Sequence, residues 1–141
     1  MDQYLTFAQE HPLLVYGFVG LLGLILWVEF GRLTKKYKQV GVNEAVRLIN
    51  GDGTLCLDVR EDKELGDGII SGSRHIPVGQ LKDRISELSA YKNKTVLVYC
   101  RSGNRSGFAC NTLTKQGFED VYNMSGGVMA WESANYPLSK R

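Results

Sequence analysis

The sequence predicts an α/β domain, with a mostly parallel central sheet covered by helices on both faces, preceded by one membrane-spanning helix. Three observations carry this expectation. An apolar run without charge occupies the amino-terminal region. Beyond about Val40, short apolar runs alternate with stretches of helical periodicity, the pattern of parallel crossovers. Those apolar runs are continuous, as strands buried on both faces require. With 141 residues the chain holds one domain with its own core and an appendage.

The appendage comes first. From Pro12 to Val28, "PLLVYGFVGLLGLILWV", no residue is charged. As a helix this run extends about 26 Å, the short end of the spanning range, so Glu29 and Phe30 complete a span over 12–30. A cleaved signal peptide would have a basic flank and a small-x-small site. Here the flank "MDQYLTFAQEH" carries Asp2 and Glu10, and "WVEFGRL" offers no such site. A buried core helix with Gly17, Gly20 and Gly23 would be unusual, and their spacing is not the close-packing GxxxG. The segment after the span carries Arg32, Lys35, Lys36 and Lys38, whereas the amino-terminal flank has neither lysine nor arginine. The positive-inside rule therefore places residues 1–11 outside as a short tail and everything from Gly31 onward in the cytoplasm. Residues 31–39 read as a basic linker and 40–141 as the soluble domain.

Within that domain "VNEAVRLIN" reads as a helix with Asn43 as its cap and Gly51 as its stop. "TLCLDV" suits a strand buried on both faces. "ISGSRHIP" is a turn leading to a short extended piece closed by Pro77. "LKDRISELSAY" reads as an amphipathic helix with Leu81, Ile85 and Leu88 on one stripe. "TVLVYC" is the most strand-like run in the chain. "SGFACNTLTKQG" follows as a helix stopped by Gly117. "VYNM" is the last strand and "GGVMAW" a last short helix.

Composition excludes several functions. A net charge of +2, with no basic stripe, gives no case for nucleic acid. Three cysteines without a CxxC or a Cys/His cluster argue against a disulfide scaffold and a zinc site, and favour a reducing compartment.

Cys100 ends the strongest strand, and open parallel sheets bind ligands beyond the carboxyl ends of their strands. The stretch "VLVYCRSGNRSG" surrounds it with donors and positive charge. A thiol reacts as its thiolate, and an ordinary one is only about 3% ionised at pH 7. Gly103 permits a curled backbone whose N–H groups point inward, a helix begins near Arg105–Ser106, and Arg101 and Arg105 add full charges. Each should lower the thiol pKa. The bland alternative, a structural cysteine before a polar loop, explains none of this arrangement. Cysteine phosphatases need a C-x5-R spacing, so that the loop wraps a phosphoryl group. Here Arg105 comes one position too early, Ser106 takes its place, and Tyr99 rather than a histidine precedes Cys100. The shorter ring suits a single sulfur atom.

On these residues the chain resembles the rhodanese family of sulfurtransferases. The pieces occur in the family's order: "CLDVRE", "GIISGSRHIP", "VLVYCRSGNRS", then "GGVMAW" with "YPL", covering roughly Val40 to Leu138. The layout is similar to a single-domain, membrane-anchored bacterial type. One departure stands out: where the family has "GHIPGAxNIP", this chain has Ile69, Ser71, Ser73 and His75. The resemblance implies a rhodanese-like three-layer sandwich and a persulfide on Cys100. It implies donor binding and backbone stabilisation by Arg101, Ser102, Gly103, Asn104, Arg105 and Ser106, with no metal or organic cofactor. The donor would be thiosulfate or a persulfide, and the acceptor a thiol, cyanide or a protein. The location would be the inner membrane, single-pass, with a membrane protein as a possible partner.

Other residues read as support. Asp58 and Arg60 end the neighbouring strand and are expected to hold the active loop by hydrogen bonds. His75 is read as a structural turn residue, Cys56 as core, and Trp131 with Gly126–Gly127 as packing. Cys110 lies about 15 Å along the next helix by helical rise. A competing class is a membrane-tethered interaction module in which Cys100 is incidental. Retention of the cysteine and both arginines argues against it.

Overall fold

The computed structural model of the chain describes residues 1–33 and 36–140. Lys35, the middle of the expected linker, the side chain of Arg32 and the terminal Arg141 lie outside the described residues. The chain divides into two compact units, Met1–Lys35 and Lys36–Arg141.

The first unit contains α1 (Asp2–Glu10) and α2 (Pro12–Leu33). The expected tail is thus largely helical. Its end is closed by the His11 N–H donating to Phe7 O at 3.0 Å. Pro12 suits the first position of α2, where its fixed φ fits and its missing N–H is not needed. Pro12–Gly31 is long and apolar enough to cross a bilayer, and none of it is buried within the structure.

The second unit is built on a five-stranded sheet, in the order β1 (Lys38–Val40), β5 (Asp120–Met124), β4 (Thr95–Tyr99), β2 (Leu55–Asp58) and β3 (Arg74–His75). Every neighbouring pair is parallel. Alternation along β4 sends Val96, Val98 and then Cys100 into one core, with Leu81, Leu88, Ala109 and Leu113. Leu97 and Tyr99 enter the other, with Ala45, Met124, Val128 and Trp131. The covering helices follow from these sets. On the first face lie α4 (Leu81–Arg84), a 3-10 helix over Ile85–Tyr91, and α5 (Asn104–Lys115). On the second lie α3 (Val42–Ile49) and α6 (Gly127–Ser133). The three-layer arrangement expected from the sequence is the observed one.

Three local expectations change. β1 begins at Lys38, inside the segment read as linker; its burial pattern of two exposed residues and Val40 gives no periodic signal. Gly41, extended at φ −78 and ψ 173, precedes α3, so Asn43 is inside the helix and is not its cap. Asn43 Oδ1 instead accepts the Tyr136 hydroxyl at 3.2 Å. The stretch "LKDRISELSAY" is not one α-helix. Leu81 to Ile85 is a spacing of four and Ile85 to Leu88 a spacing of three, and the chain satisfies them with an α turn followed by a 3-10 run.

Candidate active site

At the carboxyl end of β4 the chain turns through Cys100–Gly103 into α5. Gly103 has φ +105, a left-handed conformation in which glycine carries no Cβ penalty. That turn aims the Gly103 N–H at the Cys100 sulfur, 3.0 Å away. The Ser106 hydroxyl, one turn into α5, lies 3.3 Å from the same sulfur. Gly127 closes the loop from behind. A Cβ there would collide with Cys100 O and with the Arg101 backbone. Its absence lets the Val128 and Met129 N–H groups donate to Cys100 O and Arg101 O at 2.9 and 3.1 Å. Gly127 therefore does more than pack the last helix. Trp131 stays in the core, its Nε1–H donating to Pro137 O at 3.0 Å.

Burial pushes the Cys100 thiol up, but it is outweighed by the Ser106 hydroxyl and by the N–H groups of Ser106, Gly103 and Ser102. Together they hold the thiol below its ordinary value. The other two thiols go the opposite way. Burial and nearby Asp58 push Cys56 up to about 12, and burial raises Cys110. One thiol of three is prepared to carry negative charge. Cys110 shares a core with Cys100, and both are free thiols. Cys100 is buried in the structure.

The arginines are disposed differently from expectation. Arg105 does not face an open site. Its Nη1 and Nη2 donate to the two Glu64 carboxylate oxygens at 2.6 and 2.7 Å. Arg101 is exposed and makes no ion pair among the described residues. It lines a small cleft beside the loop together with Arg60, Glu64, Met129 and Glu132. Asn104 opens α5 and is exposed, and among the described residues its N–H is not one of the donors found at the sulfur.

Asp58 and Arg60 are both buried and form a salt bridge at 2.7 Å. Their reach corrects the expectation that they hold the Cys100 loop directly. Arg60 Nη2 donates to Gly68 O at 2.9 Å and Nη1 to Glu64 O at 3.4 Å. The pair thus fixes the 3-10 turn Asp62–Asp67, and that turn presents Glu64 to Arg105. His75 serves the same corner, with Nε2 2.6 Å from Arg60 O and Nδ1 3.4 Å from Asp62 Oδ1. Ser73, one of the family departures, accepts the buried Tyr99 hydroxyl at 2.9 Å.

Two site residues escape the sequence reading. Glu64 is held well below the usual carboxylate range, at about 2, chiefly by its hydrogen bonds from Arg105. The signal that could have marked it is the Glu61/Glu64 spacing, which forms a capping box. Asn123 on β5 is buried and bonds to both Ser106 and Gly103. A lone asparagine in a short strand gives no comparable signal.

Residues 41–134 match the family model described as a rhodanese-like domain. The chain belongs to the rhodanese family. It is 34% identical over 139 residues to the protein YibN of Escherichia coli K12, covering 98% of this chain and 97% of that one. It is 36% identical over 92 residues to a sulfurtransferase of Allochromatium vinosum, covering 65% of this chain and 84% of that one. A rhodanese-related protein of Thermoplasma volcanium, a solved structure, superposes with a TM-score of 0.66 at 30% identity. That match covers 74% of this chain and all of the Thermoplasma chain. A sulfurtransferase-like role follows from this rhodanese membership.

Proposed function

We propose that this rhodanese is a membrane-anchored sulfurtransferase that carries sulfane sulfur as a persulfide on Cys100. The observation that carries the reading is the convergence of the Gly103 N–H and the Ser106 hydroxyl on one thiol held below its ordinary value. In the first step the Cys100 thiolate attacks the outer sulfur of a donor such as thiosulfate. A bond forms between Sγ and that sulfur, the donor's S–S bond breaks, and sulfite leaves with the electron pair. In the second step a nucleophile, whether cyanide, a thiol or a protein thiol, attacks the outer sulfur and returns Cys100 as thiolate. Neither step needs a metal or an organic cofactor. Arg101 meets the anionic donor at the loop mouth, and Arg105 joins it as its bond to Glu64 yields. Pro12–Gly31 anchors the protein in the inner membrane. Lys36 and Lys38 after it orient the catalytic domain to the cytoplasm.

A second reading, a tethered binding module, is favoured by the complete burial of Cys100 and by the carboxylate already seated on Arg105. Thiocyanate production from thiosulfate and cyanide by the full chain in detergent, with Cys100→Ser as control, separates the two. Cys100-dependent turnover supports the enzyme. Its absence from the folded protein, with several donors, leaves the module.

A further inference from the structure

The amino-terminal helix α1 is amphipathic along its whole length. At about 100° per residue, Tyr4, Leu5, Phe7 and Ala8 fall within one arc of about 160°. Asp2, Gln3, Thr6, Gln9 and Glu10 occupy the opposite side, and neither face holds a lysine or an arginine. Among the described residues the apolar face is left largely uncovered: α1 has no buried residue, and Tyr4, Leu5 and Phe7 are exposed. Isolated helices shorter than about 12 residues are marginal in water, so this short helix needs a surface to hold it. The apolar span begins one residue after α1 ends. His11, with φ −128 and ψ 58, breaks the helical path, and Pro12 opens α2. The His11 carbonyl accepts the Leu14 and Val15 N–H groups at 3.1 and 3.3 Å. Between the two helices lies an open groove of about 340 Å³, lined by Phe7, Leu14, Val15 and Phe18. The apolar side of α1 is therefore continuous with the exposed apolar surface of Pro12–Gly31.

We propose that α1 lies in the plane of the membrane interface, with Tyr4, Leu5, Phe7 and Ala8 turned into the leaflet that α2 enters. The proposal rests on the reading of α2 as a membrane anchor. It makes residues 2–10 a second lipid contact at the amino-terminal end of the span, in place of a free tail. Continuity decides the occupant. Whatever covers the exposed sides of Leu14 and Phe18 also faces Phe7 across the groove, and for a spanning α2 that is lipid. Tyr4 suits this position, since its ring has an apolar body and its hydroxyl reaches water. The polar face defines the kind of membrane contact. Interfacial helices drawn to anionic lipid carry lysine and arginine there, whereas this one carries Asp2 and Glu10. Apolar area alone seats α1, and anionic lipid adds nothing to it.

The test uses the full chain with Cys100→Ser, reconstituted in vesicles of neutral phosphatidylcholine. Leu5→Cys, Thr6→Cys, Ala8→Cys and Gln9→Cys are made one at a time and labelled with a nitroxide, and Leu21→Cys marks the middle of α2. Cys56 and Cys110 are buried, and the chain without an added cysteine gives the background. Relaxation by oxygen, which concentrates in lipid, is compared with relaxation by a water-soluble nickel complex. The oxygen-to-nickel ratio is expected to be several-fold higher at the Leu5 and Ala8 positions than at Thr6 and Gln9. Mixing in anionic phosphatidylglycerol should leave it unchanged, and Phe7→Asp should lower it at the Ala8 position. Equal nickel access at all four positions, with the Leu21 label deep in lipid, would overturn the proposal and leave a free tail on an intact anchor. A Leu21 label open to nickel would overturn the anchor reading, and the proposal with it. Labels at Leu5 and Ala8 shielded from both reagents and broadened by one another would make a second copy the occupant, which also overturns it. A ratio that rises with anionic lipid would overturn the seating by apolar area.

Discussion

Glu64 receives both terminal nitrogens of Arg105, at 2.6 and 2.7 Å, across a sequence separation of 41 residues. The cation that the loop was expected to offer a donor therefore already has an anion on it. Hydrogen bonds to charged groups contribute about 1.5–3 kcal/mol, so a donor must displace a partner of that order or rely on Arg101. Glu64→Gln keeps a neutral acceptor and loses only the extra strength of the charged bond, about 1 kcal/mol, so it should lower the KM for thiosulfate roughly three- to tenfold while leaving an uncharged donor little changed. Unchanged KM values for both donors would show that Arg105 takes no part in binding the anion.

The same pair has a pH signature. The Glu64 carboxyl is depressed from an ordinary 4.5 to about 2. A depressed carboxyl contributes stability that is whole above its unfolded value and is lost as pH falls through the folded one. The Tm difference between the native chain and Glu64→Gln should hold down to about 4.5 and shrink as pH falls toward about 2. A difference independent of pH would assign it to packing.

Ser106→Ala removes the side-chain hydrogen bond that does most to offset the burial of Cys100. Persulfide formation should slow several-fold at neutral pH and recover at alkaline pH, since a thiol with a higher pKa holds less thiolate at neutral pH. Single-turnover rates across pH decide this. An equal loss at every pH would mean that Ser106 acts after ionisation.

Arg60 is buried against Asp58 with 3% of its surface exposed. Arg60→Ala leaves a buried carboxylate without its partner, at a cost of about 3–5 kcal/mol. Replacing both residues, as Asp58→Leu with Arg60→Met, should cost less than the single change. Calorimetric unfolding measures both, and the reverse order would contradict the structural role given to the pair.

Gly127→Ala places a Cβ against Cys100 O and the Arg101 backbone, which must then move. Since Cys100 and Arg101 form the loop itself, turnover should fall by a larger factor than stability predicts. Melting and kcat measured on the same sample make that comparison.

What was legible in the sequence was local. β4 and the Cys100 loop carry their signal in consecutive residues, with a continuous apolar run, then a glycine at a left-handed turn, then a helix. Glu64 and Asn123 were not legible, because each acts on a residue far along the chain and sits in an element without periodicity. Glu64 lies in a 3-10 turn of six residues, and Asn123 alternates with core residues in a strand of five. β1 was hidden for a related reason, since a three-residue edge strand with two exposed positions resembles a linker. The direct link expected between Arg60 and the Cys100 loop failed because a buried arginine has five donors. They reach Asp58, Glu64 O and Gly68 O, and so organise the neighbouring turn.

On the proposed mechanism Cys100 carries the transferred sulfur, and intact mass spectrometry of the full chain after incubation with thiosulfate detects that sulfur on the protein. A gain of one sulfur atom is expected, lost on adding cyanide and absent from Cys100→Ser. An unchanged mass in the folded chain, or a gain that survives in the Cys100→Ser variant, would contradict it.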